Sequence, residues 1–212
     1  GGTPTNAKVA LCIGISNYDG SMYDLKYCDD DAKDWAGYLN SKGYTVHTLI
    51  DSQASGSTIL SEIDWLNSAE TSAADTVVFV YSGHGIKEGG SGSNIIARDF
   101  VYISQSQLNS KFSSFASQKI FFFFDACQIG GMTTLGGTGR FVACASNSNT
   151  YSYDGTNSMA NGVFTYYFLE DGIKQKGYNA MEDAFSYAEY MCEKNYPMNC
   201  VSSDGYSGLM YL

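Results

Sequence analysis

The sequence is short of basic residues: 12 Lys and Arg stand against 22 Asp and Glu, a formal charge of −10 at pH 7. Nucleic acids and anionic membranes both call for a basic surface, so this charge argues against either as a partner. It suits cationic substrates, although most such charge simply solvates a surface. Long hydrophobic runs are missing as well. The longest, Lys119–Ala126 with its core Ile120–Phe124, falls far short of the roughly 20 apolar residues of a membrane-spanning helix. Histidine is scarce, with two in the chain, which narrows the candidates for proton transfer near neutral pH to His47 and His84. The chain opens Gly1-Gly2-Thr3-Pro4 with neither an initiator Met nor a signal sequence, and is read as a trimmed fragment.

What is present describes a globular protein. Hydrophobic residues make up 44% and aromatics 15% of 212 residues, enough for one compact domain. Residues 1–7 read as a linker and 8–212 as the domain. Of six cysteines, Cys12 and Cys144 sit inside apolar runs and read as small buried hydrophobes. Cys192 and Cys200 flank a loop with Pro197; a local disulfide and two unpaired thiols both remain open. Few Lys and Arg among many Ser, Asn, Gly and Tyr incline the location towards the cell surface or beyond.

Apolar, β-branched segments at 8–15, 44–50, 75–82, 119–124, 140–146 and 208–212 read as strands. Segments 29–40, 57–68, 104–115, 162–175 and 180–194 carry helical spacing, with a Ser cap opening the second. A Gly-rich loop is expected at 85–93, a short hairpin at 94–103, a flexible Gly-rich stretch at 130–139 and a polar loop at 147–161. Strands alternating with helices, with the central strands apolar throughout, predict an α/β fold: a mainly parallel six-stranded sheet covered by helices on both faces. Sites in such sheets form beyond the carboxyl ends of the strands.

Two strand ends stand out. Tyr81-Ser82-Gly83-His84-Gly85 ends one apolar strand with a histidine between two glycines, where the backbone can turn and a substrate can approach. His47 lies inside a strand and reads as structural. Phe124-Asp125-Ala126-Cys127-Gln128 ends another, and Cys127 emerges just before Gly130-Gly131. A thiol placed past a strand end, with a histidine to take its proton, is the arrangement that nucleophilic catalysis needs. Neighbouring parallel strands lie about 4.8 Å apart, so the two side chains can meet. Backbone N–H groups at Gly85 and Cys127 are candidates for an oxyanion hole.

Caspases carry a Q-A-C string with a histidine about 50 residues upstream. With Tyr81-Ser82-Gly83-His84-Gly85 and Asp125-Ala126-Cys127, the chain resembles the caspase-like cysteine peptidases, a clan that includes caspases, metacaspases and clostripain-like enzymes. Asp125 in place of Gln points to the metacaspase and orthocaspase branch. The resemblance extends from 8–15 through Gly162-Val163-Phe164-Thr165 to Asp204-Gly205-Tyr206-Ser207-Gly208. It implies a caspase-like three-layer sandwich and an endopeptidase with a His84–Cys127 dyad acting on proteins or peptides; the short linker from Cys127 to Arg140 speaks against a caspase-like dimer built on a cleaved long linker, so a monomer is expected.

Metacaspases show an L-x-G-C-x-N-D-A string where this chain has Leu25-Lys26-Tyr27-Cys28-Asp29-Asp30-Asp31-Ala32; Cys28 and Asp31 match, Tyr27 and Asp30 depart. By resemblance Asp31 and Asp125 line the pocket for a basic side chain, with Cys28 and Ser82 completing its wall, and cleavage follows Arg or Lys. Two carboxylates in a cleft do suit a guanidinium or ammonium group. No Arg occurs in 18–31 or 147–161, where a caspase would hold a substrate Asp. Tyr151, Tyr153 and Asp154 are assigned to neighbouring subsites. No cofactor is expected. Many metacaspases need calcium, but only Asp99 matches an acidic ligand, and Ile103-Ser104-Gln105-Ser106-Gln107-Leu108 lacks the acidic pair. Lys26, Lys87, Arg98 and Arg140 lie in or beside loops, open to autocleavage. Two other functions fit the same residues: a catalytically silent interaction module, and a peptide ligase using the same dyad.

Overall fold

The computed structural model describes residues 6–90 and 92–212. Five parallel strands form most of the main sheet: β1 (Lys8–Gly14), β2 (Thr45–Ile50), β3 (Thr76–Ser82), β7 (Ile120–Asp125) and β8 (Arg140–Cys144). An antiparallel edge strand, β9 (Val201–Asp204), completes the order β2-β1-β3-β7-β8-β9. A second, antiparallel sheet of β4 (Gly85–Glu88), β5 (Gly92–Ile96) and β6 (Tyr102–Ser104) follows His84 directly. Five helices surround the main sheet: α1 (Cys28–Ser41), α2 (Gly56–Ala69), α3 (Gln105–Phe112), α4 (Val163–Thr165), which runs on into a π-helical segment (Tyr166–Gln175), and α5 (Met181–Asn195). No helix among the described residues is long and apolar enough to cross a membrane.

Every residue of β3 and β7 is buried, as expected of strands covered on both faces. Their side chains alternate between two cores. Leu11, Phe79, Phe122 and Phe124 pack with Ile59 and Ile63 of α2 and Leu108 and Phe112 of α3. Ala10, Val80, Phe121 and Phe123 pack with Trp35 of α1, Phe164 of α4, Phe168 of the π-helical segment and Phe185 of α5. Capping follows the sequence: Ser55 Oγ accepts the Thr58 N–H at 3.3 Å, and Ser104 with Gln107 forms a capping box at the start of α3.

Three expectations shift. The closing strand is Val201–Asp204, and of 208–212 only Tyr211 makes a bridge, to Ala180. The expected Gly-rich loop holds most of the β4–β5 hairpin, with Ser91 outside the described residues. Residues 1–5 of the expected linker also lie outside them; Ala7 is already tied to the fold, its N–H donating to Asp75 Oδ1 and its carbonyl accepting the Thr76 N–H. All six cysteines are free thiols, with Cys192 and Cys200 in hydrogen-bond contact.

Candidate active site

Register places the two candidate catalytic residues. In the β3–β7 ladder Ser82 stands opposite Asp125, so His84 and Cys127 each lie two residues past the last paired position. Both line the same two hollows. The chain turns sharply after Cys127. Gln128 takes φ 50°, a left-handed conformation unusual for a residue with a side chain. Three hydrogen bonds hold it there: its N–H donates to Thr150 O at 2.8 Å, its carbonyl accepts from Ser93 Oγ at 2.6 Å, and its Oε1 accepts the Lys87 N–H at 3.1 Å.

His84 is clamped through its backbone. Its N–H donates to Tyr18 Oη at 2.8 Å, and its carbonyl accepts from Tyr81 Oη at 2.6 Å. Its ring Nε2 lies 2.5 Å from the Tyr23 carbonyl oxygen. A carbonyl only accepts, so Nε2 carries a proton, and a ring with one proton then has its lone pair on Nδ1. The Cys127 thiol donates to Ser152 O at 3.5 Å. Burial pushes its pKa up, and the nearby Asp125 and Asp154 carboxylates add to the rise; the resting nucleophile is therefore the neutral thiol.

Two backbone N–H groups close to this thiol have no acceptor among the described residues, those of Gly85 and Cys127 itself. Gly85 and Ile95 are directly opposed in the β4–β5 ladder, while His84 O takes the Ile96 N–H. Bonded and non-bonded pairs alternate along antiparallel strands, so Gly85 falls on a non-bonded pair, like Lys87. Its N–H faces outward on the same edge as that of Lys87, which reaches Gln128. Among the described residues no acceptor takes the Cys127 N–H.

Beside His84 and Cys127 lies a hollow of about 80 Å³ lined by Cys28, Asp31, Asp125, Ser152, Tyr153 and Asp154. Asp31 is fully buried and accepts from Ser82 Oγ at 2.7 Å, the Gly162 N–H at 2.9 Å and Asn161 Nδ2 at 3.1 Å. Asp125 accepts from Ser152 Oγ at 2.5 Å and from the Thr165 hydroxyl and N–H at 2.7 and 3.1 Å. Burial lifts the Asp31 carboxyl well above the usual carboxylate range, with Asp125 adding to the lift and the hydrogen bonds opposing it. Burial lifts Asp125 too, against the same kind of opposition. Gly162 makes room between them: a Cβ there would lie 2.4 Å from Asp125 Oδ2 and 2.9 Å from Asp31 Oδ2.

Three assignments change. Ser82 is buried and does not line the hollow; it backs Asp31 from behind. Tyr153 and Asp154 line this same hollow and no neighbouring one, with Asp154 adding a third carboxylate. Tyr151 lies in the second hollow. The sequence reading missed the clamps of His84. The Tyr81 hydroxyl gives no pattern, and the Tyr23 partner is a main-chain atom.

The residues do not fit the calcium site that the metacaspase resemblance implies. Asp99 accepts the Gly56 N–H at 3.0 Å, Gln105 the Ser93 N–H at 2.9 Å and Gln107 the Ser104 N–H at 3.1 Å. No cluster of three His, Cys, Asp or Glu able to hold a metal occurs among the described residues.

A family model described as the caspase domain matches residues 7–204. No curated protein sequence matches the chain. Caspase-1 of Spodoptera frugiperda is similar over 97% of this chain and 89% of its own, at 15% identity and a TM-score of 0.74. The Drosophila initiator caspase Dronc is similar over 96% and 82%, at 12% identity and 0.73. A protein of Geobacter sulfurreducens is similar over 95% and 94%, at 17% identity and 0.73. The neighbours share the fold, the family model spans almost the whole chain, and the chain belongs to the caspase-domain family of cysteine peptidases.

Proposed function

We propose that this chain is an endopeptidase of the metacaspase and orthocaspase type, cleaving after Arg or Lys with a Cys127–His84 dyad and without calcium. The observation that carries the specificity is three carboxylates, Asp31, Asp125 and Asp154, around one small hollow beside the dyad. A cation entering it meets partners already desolvated and held by fixed hydrogen bonds, where charge-assisted bonds are strongest. An anionic side chain would meet three carboxyl groups and no Lys or Arg.

The chemistry follows from the atoms in place. His84 Nδ1 takes the Cys127 proton as sulfur attacks the carbonyl carbon. The oxyanion is held by the N–H groups of Gly85 and Cys127. The Tyr23 carbonyl steadies the imidazolium that forms. Collapse of the intermediate breaks the C–N bond, and His84 passes its proton to the leaving amine. Water then attacks the thioester, His84 takes its proton and the thiol is restored. Once Cys127 is ionised, its bond to Ser152 O is lost, and that carbonyl is free to accept a substrate N–H.

The test is turnover of a peptide series with Arg, Lys, Asp or Gly before the scissile bond, in chelator and in added calcium. Turnover confined to Arg and Lys, equal in both buffers and absent in Cys127→Ala, is expected. Cleavage after Asp, or a large rise with calcium, would refute the proposal.

A further inference from the structure

The dyad opens on two hollows, and the chemistry above uses one. The second is the larger, about 550 Å³ against about 80 Å³. Around His84, Gly85 and Cys127 its walls are Tyr23, Ile86, Ile96, Phe100, Tyr102 and Tyr151, with no carboxylate among them. Four of these rings are strongly exposed: Tyr23 54%, Phe100 39%, Tyr102 52% and Tyr151 53%. Large apolar side chains left in water around one concavity mark a binding surface.

This wall is built to hold its shape. Phe100 takes φ 63°, a left-handed conformation unfavourable for a bulky residue. The turn that forces it is fixed on every side. Arg98 pairs with Asp19 at 2.8 Å, the Arg98 N–H donates to Ala54 O, Asp99 takes the Gly56 N–H, and the Phe100 N–H donates to Ala97 O at 2.9 Å. Backbone strain kept by such surroundings gathers at functional sites. The ring it presents meets Tyr23 edge to face, with centroids 5.6 Å apart, and stacks on Tyr18 at 5.9 Å. Tyr23 in turn meets His84 edge to face.

Position decides what the hollow holds. The acidic hollow contains the Ser152–Asp154 segment. The aromatic one contains instead the strand after the base, Gly85–Ile86, and the residue after the nucleophile, Gln128. A peptide whose basic side chain fills the first therefore has its leaving half over the second. His84 borders both, as the group that protonates the leaving amine must. We propose that this hollow receives the side chain immediately after the scissile bond and selects a large apolar or aromatic residue there. The inference rests on the peptidase proposal, and adds a requirement on the leaving side that the acidic pocket does not impose.

The experiment uses internally quenched peptides with Arg fixed before the scissile bond and Gly, Ala, Leu, Phe, Asp or Lys after it. Expected is a kcat/KM for Leu and Phe about tenfold or more above Gly, in keeping with burial of one apolar side chain, with Asp below Gly. Phe100→Gly relieves the left-handed backbone while removing the ring, so it keeps the fold; in it the Phe-to-Gly ratio falls at least threefold. A second variant, Ile86→Ser, lowers the same ratio from the opposite wall. Cleavage after Arg with a flat profile at the following position overturns this inference alone. Cleavage of no peptide in the set removes the peptidase proposal and this one together.

Discussion

Asp31→Asn tests the charge of the acidic hollow most cleanly. The substitution keeps volume and geometry: Oδ1 can retain the Gly162 N–H, and Nδ2 can donate to the Ser82 hydroxyl, which is free to turn. What it removes is the negative charge that Asp31, lifted by burial in the free protein, takes on when a substrate cation enters the hollow. A charge-assisted hydrogen bond contributes about 1.5–3 kcal/mol, so kcat/KM for an Arg peptide should fall by roughly 10- to 150-fold, at 1.4 kcal/mol per tenfold. The matched peptide carries citrulline, which has the shape of Arg without its charge, and should change less than about threefold across the same substitution. Folding is followed separately. Asp31 titrates above the usual carboxylate range in the fold, so the native state holds a proton that the unfolded chain releases at lower pH. Its ionised form costs stability at neutral pH, and stability recovers as pH falls through the raised value. Asp31→Asn should therefore leave the melting temperature at pH 7 unchanged or higher, and shrink its gain on acidification. Equal losses for the Arg and citrulline peptides, with a lowered melting temperature, would show that Asp31 supports the fold and does not read the substrate.

Other outcomes follow from the same geometry. Gly162→Ala should lower kcat/KM for Arg peptides at least 100-fold and cost about 1–3 kcal/mol of stability in urea unfolding, because its Cβ would press on both carboxylates. Tyr81→Phe removes the donor to the His84 carbonyl; roughly 1 kcal/mol of stability should be lost, with kcat falling more than KM changes. Iodoacetamide labelling of Cys127 in the free protein should keep accelerating with pH above the ordinary thiol range, since burial and two carboxylates hold the thiol protonated. A labelling rate that levels off near pH 7 would contradict that environment.

Much of this was legible in the chain because burial on both faces leaves a plain signal. Val77–Tyr81 and Ile120–Phe124 are apolar without interruption, and just past their ends stand His84 and Cys127, the proposed dyad. The edge strand misled for the opposite reason. Val201-Ser202-Ser203-Asp204 is half exposed and polar, whereas the apolar tail at 208–212 stays out of the sheet and makes one isolated bridge, from Tyr211 to Ala180 before α5. Carboxylate identities at 31 and 125 could be read by resemblance. Asp154 could be placed in the same hollow only by the path of a loop held by backbone bonds and by long-range polar contacts such as the Lys26 N–H to Asp154, Ser152 to Asp125 and Asn161 to Asp31, none of which leaves a local pattern. Gly162 stood within a quoted motif, yet its purpose shows only when both carboxylates lie across from it.

The Tyr23 carbonyl has no counterpart among the side chains of the site. As the partner of His84 Nε2 it belongs to the backbone, and no substitution of residue 23 deletes a carbonyl. Side-chain scanning would find Cys127 and His84 and pass over their third companion. What can be varied is the path of the chain from Ser16 to Asp24, which is anchored where Asp51 accepts the Ser16 N–H, Asp24 accepts the Tyr18 N–H and Arg98 pairs with Asp19. The orientation of the His84 ring is thus set by the bend of a loop, and on the proposed mechanism changes at those anchors should alter the rate without touching any group that reacts.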